Sequence, residues 1–186
     1  MLLVKNVRLS YPSLFKPSGF EGQEPKFNAT FLIEKGSDTA KAIDAEIKRV
    51  AKEGFGDKAK AILDKQNAGD RRLLKDGDEK LNKDGEQAEG YSDHWYLKAT
   101  NKSKVKVVDR DRSELCEEDG KPYGGCYVNV QLDFWAQKNK FGNFINVKLL
   151  AVQFWEDGDS FGGASQADIS AFEAIEDSFD NGDEPW

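Results

Sequence analysis

The segment GGCYVNVQLDFWAQ, residues 124–137, carries the most restrictive pattern in this chain of 186 residues. Its side chains alternate between two sets, which is the two-residue period of a β-strand with one buried face. The inward set is Cys126, Val128, Val130, Leu132 and Phe134, and the outward set is Tyr127, Asn129, Gln131, Asp133 and Trp135. The segment is therefore the clearest predicted strand, and it places the chain among the mainly β proteins.

Four further segments have the composition of strands. They are residues 2–15 (LLVKNVRLSYPSLF, with a turn expected at Pro12), 26–35 (KFNATFLIEK), 91–109 (YSDHWYLKATNKSKVKVVD) and 144–155 (FINVKLLAVQFW). Successive strands without a helix between most of them do not suit a parallel sheet. Five principal strands therefore predict a small closed or partly open barrel.

A helical insertion is predicted at about residues 36–90. Ala40, Ile43, Ile47 and Val50 fall on one helical stripe, and Gly54 is the expected stop. A shorter helix is expected over residues 57–66. The stretch 68–90 is charged and punctuated by glycine, which favours a loop.

Charge divides the chain into two unequal parts. Residues 156–186 contain ten acids and no Lys or Arg, which leaves 27 bases and 24 acids in residues 1–155. Such asymmetry is typical of nucleic-acid-binding proteins and of interaction tails. We expect residues 1–155 to form the folded domain and residues 156–186 to form a flexible acidic tail.

No membrane segment or targeting signal is evident. No run approaches the roughly 20 apolar residues that span a bilayer. The first residues, MLLVKNVRLSYPS, lack the basic start and long apolar run of a signal peptide. We therefore expect a cytoplasmic protein, in the host cell if a phage encodes it, with no membrane partner.

Catalytic and metal-binding patterns are also lacking. His94 is the single histidine, and no nucleophile is placed with it in the sequence. Cys116 and Cys126 lack the spacing of a zinc site, and neither GxxxxGK[ST] nor GxGxxG occurs. We expect a protein that is not an enzyme and that uses no metal or cofactor.

Aromatic and basic side chains alternate on the predicted strands. A two-residue period puts Tyr96, Lys98, Thr100 and Lys102 on one face. Single-stranded nucleic acid needs such a face, because bases stack on rings and cations neutralise phosphates. The predicted DNA-binding residues are Arg8, Tyr96, Lys98, Lys102, Lys104, Lys106, Tyr127 and Trp135. The alternative is that Tyr127 and Trp135 cover a barrel end or a homodimer interface.

Two stretches carry a resemblance to a known family. YGGCYV (residues 123–128) and AVQFWEDGDSFGG (151–163), in this strand order, resemble the single-stranded DNA-binding proteins of tailed phages. The resemblance implies an oligonucleotide/oligosaccharide-binding (OB) fold that coats exposed strands in replication and recombination. It also implies a tail that contacts replication proteins of the polymerase or helicase/primase class. Gly124, Gly125, Cys126 and Gly158 match the family pattern and are interpreted as fold residues.

The last nine residues, SFDNGDEPW, combine acids with aromatic rings. The residues expected to bind partners are Phe172, Phe179, Asp180, Asp183, Glu184 and Trp186. Because carboxylates ending in an indole imitate a phosphate backbone bearing a base, we expect this tail to compete with DNA for the groove of the body. Two alternatives stay open. One is an acidic adaptor or DNA mimic that does not bind DNA itself, and the other is a metal-dependent nuclease.

Overall fold

The computed structural model describes residues 1–161. These residues form β1 (Leu2–Ser18), β2 (Lys26–Glu34), α1 (Asp38–Phe55), α2 (Ala59–Asn67), β3 (Lys75–Asp76), β4 (His94–Asn101), β5 (Lys106–Val108), β6 (Tyr127–Asn139) and β7 (Gly142–Glu156). Within this part of the chain, no helix has the length and apolar character needed to cross a membrane. The expected tail residues 162–186 lie outside the described residues, so the division at residue 155 stays a prediction.

The five long strands close into a barrel. The strand order is β3-β4-β2-β1-β6-β7-β5, and a further parallel pairing of β4 with β7, Thr100 opposite Lys148, joins the two ends. The long strand β1 pairs with β2 on one side and with β6 on the other. This architecture confirms the predicted mainly β OB barrel with a helical insertion between strands.

The core fills the inside of this barrel. All five side chains of the predicted inward set of β6 are buried, as the alternation indicated: Cys126, Val128, Val130, Leu132 and Phe134. They meet Leu9 of β1, Leu97 of β4 and Leu149 of β7, each 0 % exposed. Burying one such side chain contributes about 1.5–3 kcal/mol, so these rows hold the strands at the positions that the outer face requires.

The predicted turn at Pro12 is wrong, because β1 continues through it. The register with β2 shifts between Ser10 and Ser13, and Tyr11 adopts a positive φ of 45°. Such an irregularity accommodates a proline, which cannot donate to the sheet ladder. The strand therefore bends at this point and carries on, and Tyr11 turns outward, 66 % exposed.

Helix α1 has the predicted stripe but a different end. Gly54 lies inside the helix, and Gly56, at φ 57°, is the residue that caps it by donating its N–H to the carbonyl of Lys52. A Cβ at Gly54 would lie 2.4 Å from the Cβ of Ala136. Gly54 therefore allows α1 to approach β6 closely, and it is not the residue that ends the helix. The shorter helix begins at Ala59, after a 3-10 turn, instead of at residue 57.

Two other segments differ from their prediction: a predicted loop contains regular structure, and a predicted strand is interrupted. The stretch 68–90 contains β3 and an isolated bridge between Leu81 and Gln87. The predicted strand 91–109 is divided at Asn101, whose side-chain amide donates to the Leu149 carbonyl at 2.8 Å and accepts from the Ser103 N–H at 2.9 Å. This side chain turns the chain out of the strand, and β5 then pairs with β7.

Candidate nucleic-acid interface

The register of the sheet aligns one row of side chains across five strands. Tyr127 of β6 lies opposite Arg8 of β1, Arg8 opposite Leu32 of β2, Leu32 opposite Tyr96 of β4, and Tyr96 opposite Lys75 of β3. Directly opposed residues in neighbouring strands lie about 5 Å apart. The row is therefore a continuous band of aromatic, apolar and basic groups across the outside of the barrel.

Beside this row lies a surface that we call the basic trough. It consists of three adjoining depressions of about 760, 660 and 480 Å³, and all three are lined by Lys98 and Thr100. The first extends to Trp135 and Asn146 on the closing side of the barrel, and the second extends to the loop at Phe20. The trough thus crosses the outer face of β4 and continues onto β6 and β7.

The trough is basic although the whole chain has a net charge of −7. Its bases are Lys26, Arg71, Arg72, Lys75, Lys80, Lys98, Lys102 and Lys148, against the acids Glu24, Asp70 and Asp133. Only Lys102 of these eight forms an ion pair within residues 1–161, with Glu24 at 2.6 Å. A lined depression with one sign of charge concentrates the opposite charge, so this surface attracts anions.

Three exposed rings stand at the trough: Tyr11, Phe20 and Trp135, which are 66 %, 77 % and 44 % exposed. Tyr11 gains its position from its left-handed backbone conformation, which is uncommon for a bulky residue and costs on the order of 1 kcal/mol or more. Backbone strain of this kind clusters at functional sites, which supports the trough as the site.

Two tyrosines support the floor of the trough: Tyr91, which is buried, and Tyr96, which is half-buried. The hydroxyl groups of Tyr91 and Ser10 lie 2.9 Å apart in a buried hydrogen bond, and the rings of Tyr91 and Tyr96 meet edge to face at 5.4 Å. Burial raises the pKa of Tyr91 to about 12, and it also raises the pKa of Tyr96. Both phenols therefore stay neutral at physiological pH and place no negative charge under the trough.

Arg8 is engaged with the protein itself. Its guanidinium donates to the carbonyls of Gly125 at 3.0 Å and Asp159 at 2.9 Å, and it lies 4.3 Å from the centre of the Phe161 ring. The Phe161 N–H donates to the Gly124 carbonyl at 2.9 Å. Arg8 thus clamps residues 157–161 onto the barrel beside Tyr127.

The glycines of the family pattern serve this clamp. A Cβ at Gly125, where φ is 110°, would lie 2.0 Å from the Asp159 carbonyl oxygen, and a Cβ at Gly158 would lie 2.3 Å from the Gly125 carbonyl oxygen. The Tyr123 hydroxyl donates to the Asp157 carboxylate at 2.7 Å. These residues hold the segment against the barrel, in agreement with their interpretation as fold residues.

The structure brings together half of the predicted DNA-binding residues. Tyr96, Lys98, Lys102 and Trp135 all line the trough. Tyr127 and Arg8 belong to the five-strand row but not to the trough, and Tyr127 lies eight residues along β6 from Trp135, about 26 Å. A DNA-binding role for these two residues stays a prediction.

Lys104 and Lys106 are not among the residues that line the trough. The break at Asn101 sends the chain to β5, where Lys106 pairs with Ala151 of β7. The prediction of one continuous strand over residues 91–109 is therefore wrong beyond Asn101. Their contribution to DNA binding is untested, and they provide a natural control for the trough lysines.

Several residues that line the trough are not in the predicted DNA-binding set, because they lie on elements other than β4 and β6. These are Lys26, Lys80, Lys148 and Phe20, together with Tyr11, which stands at the strand irregularity. Arg71, Arg72 and Lys75 belong to a charged stretch that favoured a loop. Only the pairing of β4 with β7 reveals that Lys148 faces Thr100.

Carboxylates are dispersed over the described residues. Within residues 1–161 no group of three or more His, Cys, Asp or Glu side chains is arranged to hold a metal ion. Asp76 and Asp78 both bond to the Lys35 ammonium at 2.6 Å, and these hydrogen bonds hold the pKa of each carboxyl below its usual value. The His94 Nδ1 lies 2.7 Å from the Ser92 carbonyl oxygen.

Comparison with known proteins relates the whole chain to phage proteins. The sequence model of a family described as the ssDNA-binding protein of Enterobacter phage Enc34 matches residues 1–183. A relative from Acyrthosiphon pisum secondary endosymbiont phage 1, named putative protein p50, is 40 % identical over 176 residues, 92 % of each chain.

Solved structures agree with the sequence comparison. The single-stranded DNA-binding protein from bacteriophage Enc34, in complex with ssDNA, is similar with a TM-score of 0.67 and 32 % identity, covering 86 % of this chain and 88 % of the other. The single-stranded DNA-binding protein gp2.5 of bacteriophage T7 is similar with a TM-score of 0.52 and 16 % identity, covering 95 % and 93 %. The second likeness shows the fold alone.

The clamp at Arg8 predicts a structural effect of its removal. Arg8→Ala should lower the free energy of unfolding by about 1–3 kcal/mol, because charge-assisted hydrogen bonds to two carbonyls are lost. Amide exchange at Gly158 and Phe161 should become faster. Urea denaturation and hydrogen exchange of the full chain measure both effects. Lys5→Ala, an exposed lysine on the same strand, is the control, and equal stability of the two variants would contradict the clamp.

Proposed function

The chain belongs to the phage single-stranded DNA-binding protein family represented by the Enc34 protein, and on this premise we propose that it binds single-stranded DNA through the basic trough. One observation carries the proposal. Three exposed rings and eight bases converge on one continuous depression of an otherwise acidic protein. Rings that stack bases and cations that follow phosphates are the two elements of single-strand binding.

Binding of this kind does not depend on base sequence. Every base has a flat face that stacks on a ring, at about 1–3 kcal/mol per base, and every phosphate is the same to a lysine. Trp135, Phe20 and Tyr11 stand at different ends of the trough, so an unpaired strand that lies across Lys98 passes from one ring to another. We therefore propose a sequence-nonspecific protein that protects exposed strands during phage DNA replication and recombination, without catalytic activity or a cofactor.

The stacking residue with the clearest test is Trp135. Trp135→Ala should weaken binding of a poly-dT oligonucleotide about 5- to 150-fold, which corresponds to the loss of one stacked base. Trp155→Ala is a matched control, because both tryptophans are 44 % exposed on adjacent strands and Trp155 does not line the trough. Affinity is measured by fluorescence anisotropy of the labelled oligonucleotide.

The same assay separates the alternatives. If Trp135→Ala and Trp155→Ala both bind like the parent, the stacking face is wrongly assigned. If the parent binds no oligonucleotide, the adaptor or DNA-mimic hypothesis is favoured. If added magnesium leads to shortening of the oligonucleotide on a gel, the protein is a nuclease and the proposal is wrong.

The lysines that line the trough should account for much of the dependence of DNA affinity on salt concentration. For single strands, the slope of log affinity against log salt falls by about 0.7 per phosphate contact. Lys98→Ala combined with Lys102→Ala should therefore flatten the slope by about 1.4. The pair Lys104→Ala with Lys106→Ala removes the same charge from the same segment and should leave the slope unchanged.

Two results would contradict the assignment of the phosphate path to the trough. One is an equal flattening in both double variants, which would mean that only net charge matters. The other is a flattening in the Lys104 and Lys106 variant alone, which would return the path to the surface that sequence analysis favoured. Circular dichroism of each variant checks that the fold is kept.

We also propose that the acidic residues 168–186 contact replication proteins, with Trp186 as an anchor. The support is the sequence, which combines carboxylates with Phe172, Phe179 and Trp186. Trp186→Ala should reduce retention of the phage polymerase or helicase/primase on an immobilised full-length protein several-fold, while Trp155→Ala should not. Equal retention by parent and Trp186→Ala would remove the indole from the contact.

A further inference from the structure

A second basic surface lies on the helical insertion and adjoins the trough at Arg72 and Leu73. It is a groove of about 660 Å³ between α1, α2 and residues 72–74, and we call it the helical groove. Its apolar lining is Ala40, Ile47, Ala59, Leu63, Leu73, Leu74 and Trp95. Its basic rim is Lys41, Lys48, Lys52, Lys60 and Arg72.

The rim cations are available to an added anion. Lys48 and Lys60 each pair with an aspartate one helical turn away, Asp44 at 2.5 Å and Asp64 at 2.7 Å. Exposed pairs of this type contribute about 0.3–0.5 kcal/mol, so they exchange readily. Lys52 has no ion-pair partner among residues 1–161. The five bases around the groove face two acids, which leaves it net positive.

The chain itself contains a segment with the complementary chemistry. Residues 168–180, DISAFEAIEDSFD, hold five acids and no base. Phe172, Ile175 and Phe179 are spaced i, i+3 and i+7, which is the spacing of the anchors by which an amphipathic helix enters an apolar groove. Acids occupy Glu173, Glu176, Asp177 and Asp180 between and beside these anchors.

We propose that residues 168–180 dock intramolecularly in the helical groove, with Phe172, Ile175 and Phe179 on its apolar floor and the carboxylates at its basic rim. This differs from the expectation that the segment competes with DNA for the body's DNA-binding groove. It concerns a different surface from the trough and does not depend on DNA binding.

The two basic surfaces differ in the uncharged side chains that line them. The trough mixes polar side chains, among them Asn28, Thr30, Thr100 and Asn146, with the rings of Tyr11, Tyr91 and Tyr96. The helical groove has seven apolar side chains around its floor, six of which pack on the hydrophobic core. The acids of the segment suit either surface, whereas its apolar anchors cover more continuous apolar area in the helical groove.

The connection is long enough for this docking. Phe161, the last described residue, packs beside Leu32 of β2. Gly36, four residues further along from Leu32, lines the helical groove, so the Cα atoms of these two residues are at most about 13 Å apart. Ten residues separate Phe161 from Phe172, and a flexible chain of that length spans about 17 Å on average.

Tethering makes even a weak contact populated. A short flexible connection supplies an effective concentration on the order of 1 mM. A segment that would bind the groove with a Kd of about 1 mM as a free peptide is then docked about half of the time. Loss of one buried aromatic anchor lowers such affinity about tenfold or more, which empties the groove.

The test uses the full chain and methyl and indole NMR. Phe172→Ser with Phe179→Ser changes only residues outside the described part of the chain. This variant should shift the signals of Ile47, Leu63, Leu74 and the Trp95 indole, which line the helical groove alone, while Thr100 and the Trp135 indole stay in place. Lys48→Glu with Lys52→Glu, on the opposite side of the contact, should cause the same release. Lys104→Glu with Lys106→Glu, exposed lysines that line neither surface, is the control.

Each other outcome overturns the inference. Shifts at Thr100 and Trp135 without shifts in the helical groove would place the segment on the trough. No shift on either surface would mean that the segment does not dock on the protein. If the groove signals of the parent move to those of the double variant on dilution, the occupant belongs to a second copy and the docking is not intramolecular.

Discussion

The closure of the barrel by β4 and β7 is the constraint on which the interface depends. In the order of the sheet, β4 and β6 are separated by β2 and β1, so they would lie on distant parts of an open sheet. The pairing of Thr100 with Lys148 joins the two ends. It brings Lys98 of β4 and Trp135 of β6 into one depression. An open sheet with the same sequence would present these groups separately.

That closure is held by a buried polar contact as well as by the core. The Asn101 amide donates to the Leu149 carbonyl at 2.8 Å, at a residue that is 9 % exposed. A buried carbonyl left without this donor would cost about 1–3 kcal/mol, so the contact fixes where β4 ends. It also separates Lys98 from Lys104 and Lys106. Of the three lysines that follow Asn101 in this segment, Lys102 still lines the trough, whereas Lys104 and Lys106 do not.

Sequence periodicity predicted the strands better than it predicted the residues of the trough, and the reason is geometric. A two-residue period tells which face of a strand a side chain occupies, and it correctly predicted the burial of the inward row of β6. It says nothing about register between strands or position along the barrel. Tyr127 and Trp135 share a face in the sequence pattern, yet they are about 26 Å apart along β6. Lys148 joins the trough only through the pairing of β7 with β4, and no local pattern contains that information.

The two basic surfaces meet at Arg72 and Leu73, which line both the trough and the helical groove. If an acidic segment occupies the groove while DNA occupies the trough, Arg72 is the cation for which both anions compete. Linkage requires that each ligand weaken the other by the same factor. An exposed ion pair contributes at most about 1 kcal/mol, so one shared cation limits that factor to about fivefold. Direct competition for a single groove has no such limit, because the two ligands exclude each other. The factor by which the segment weakens DNA binding therefore distinguishes two cases: the segment and the DNA bind the same groove, or they bind adjacent surfaces that share only Arg72.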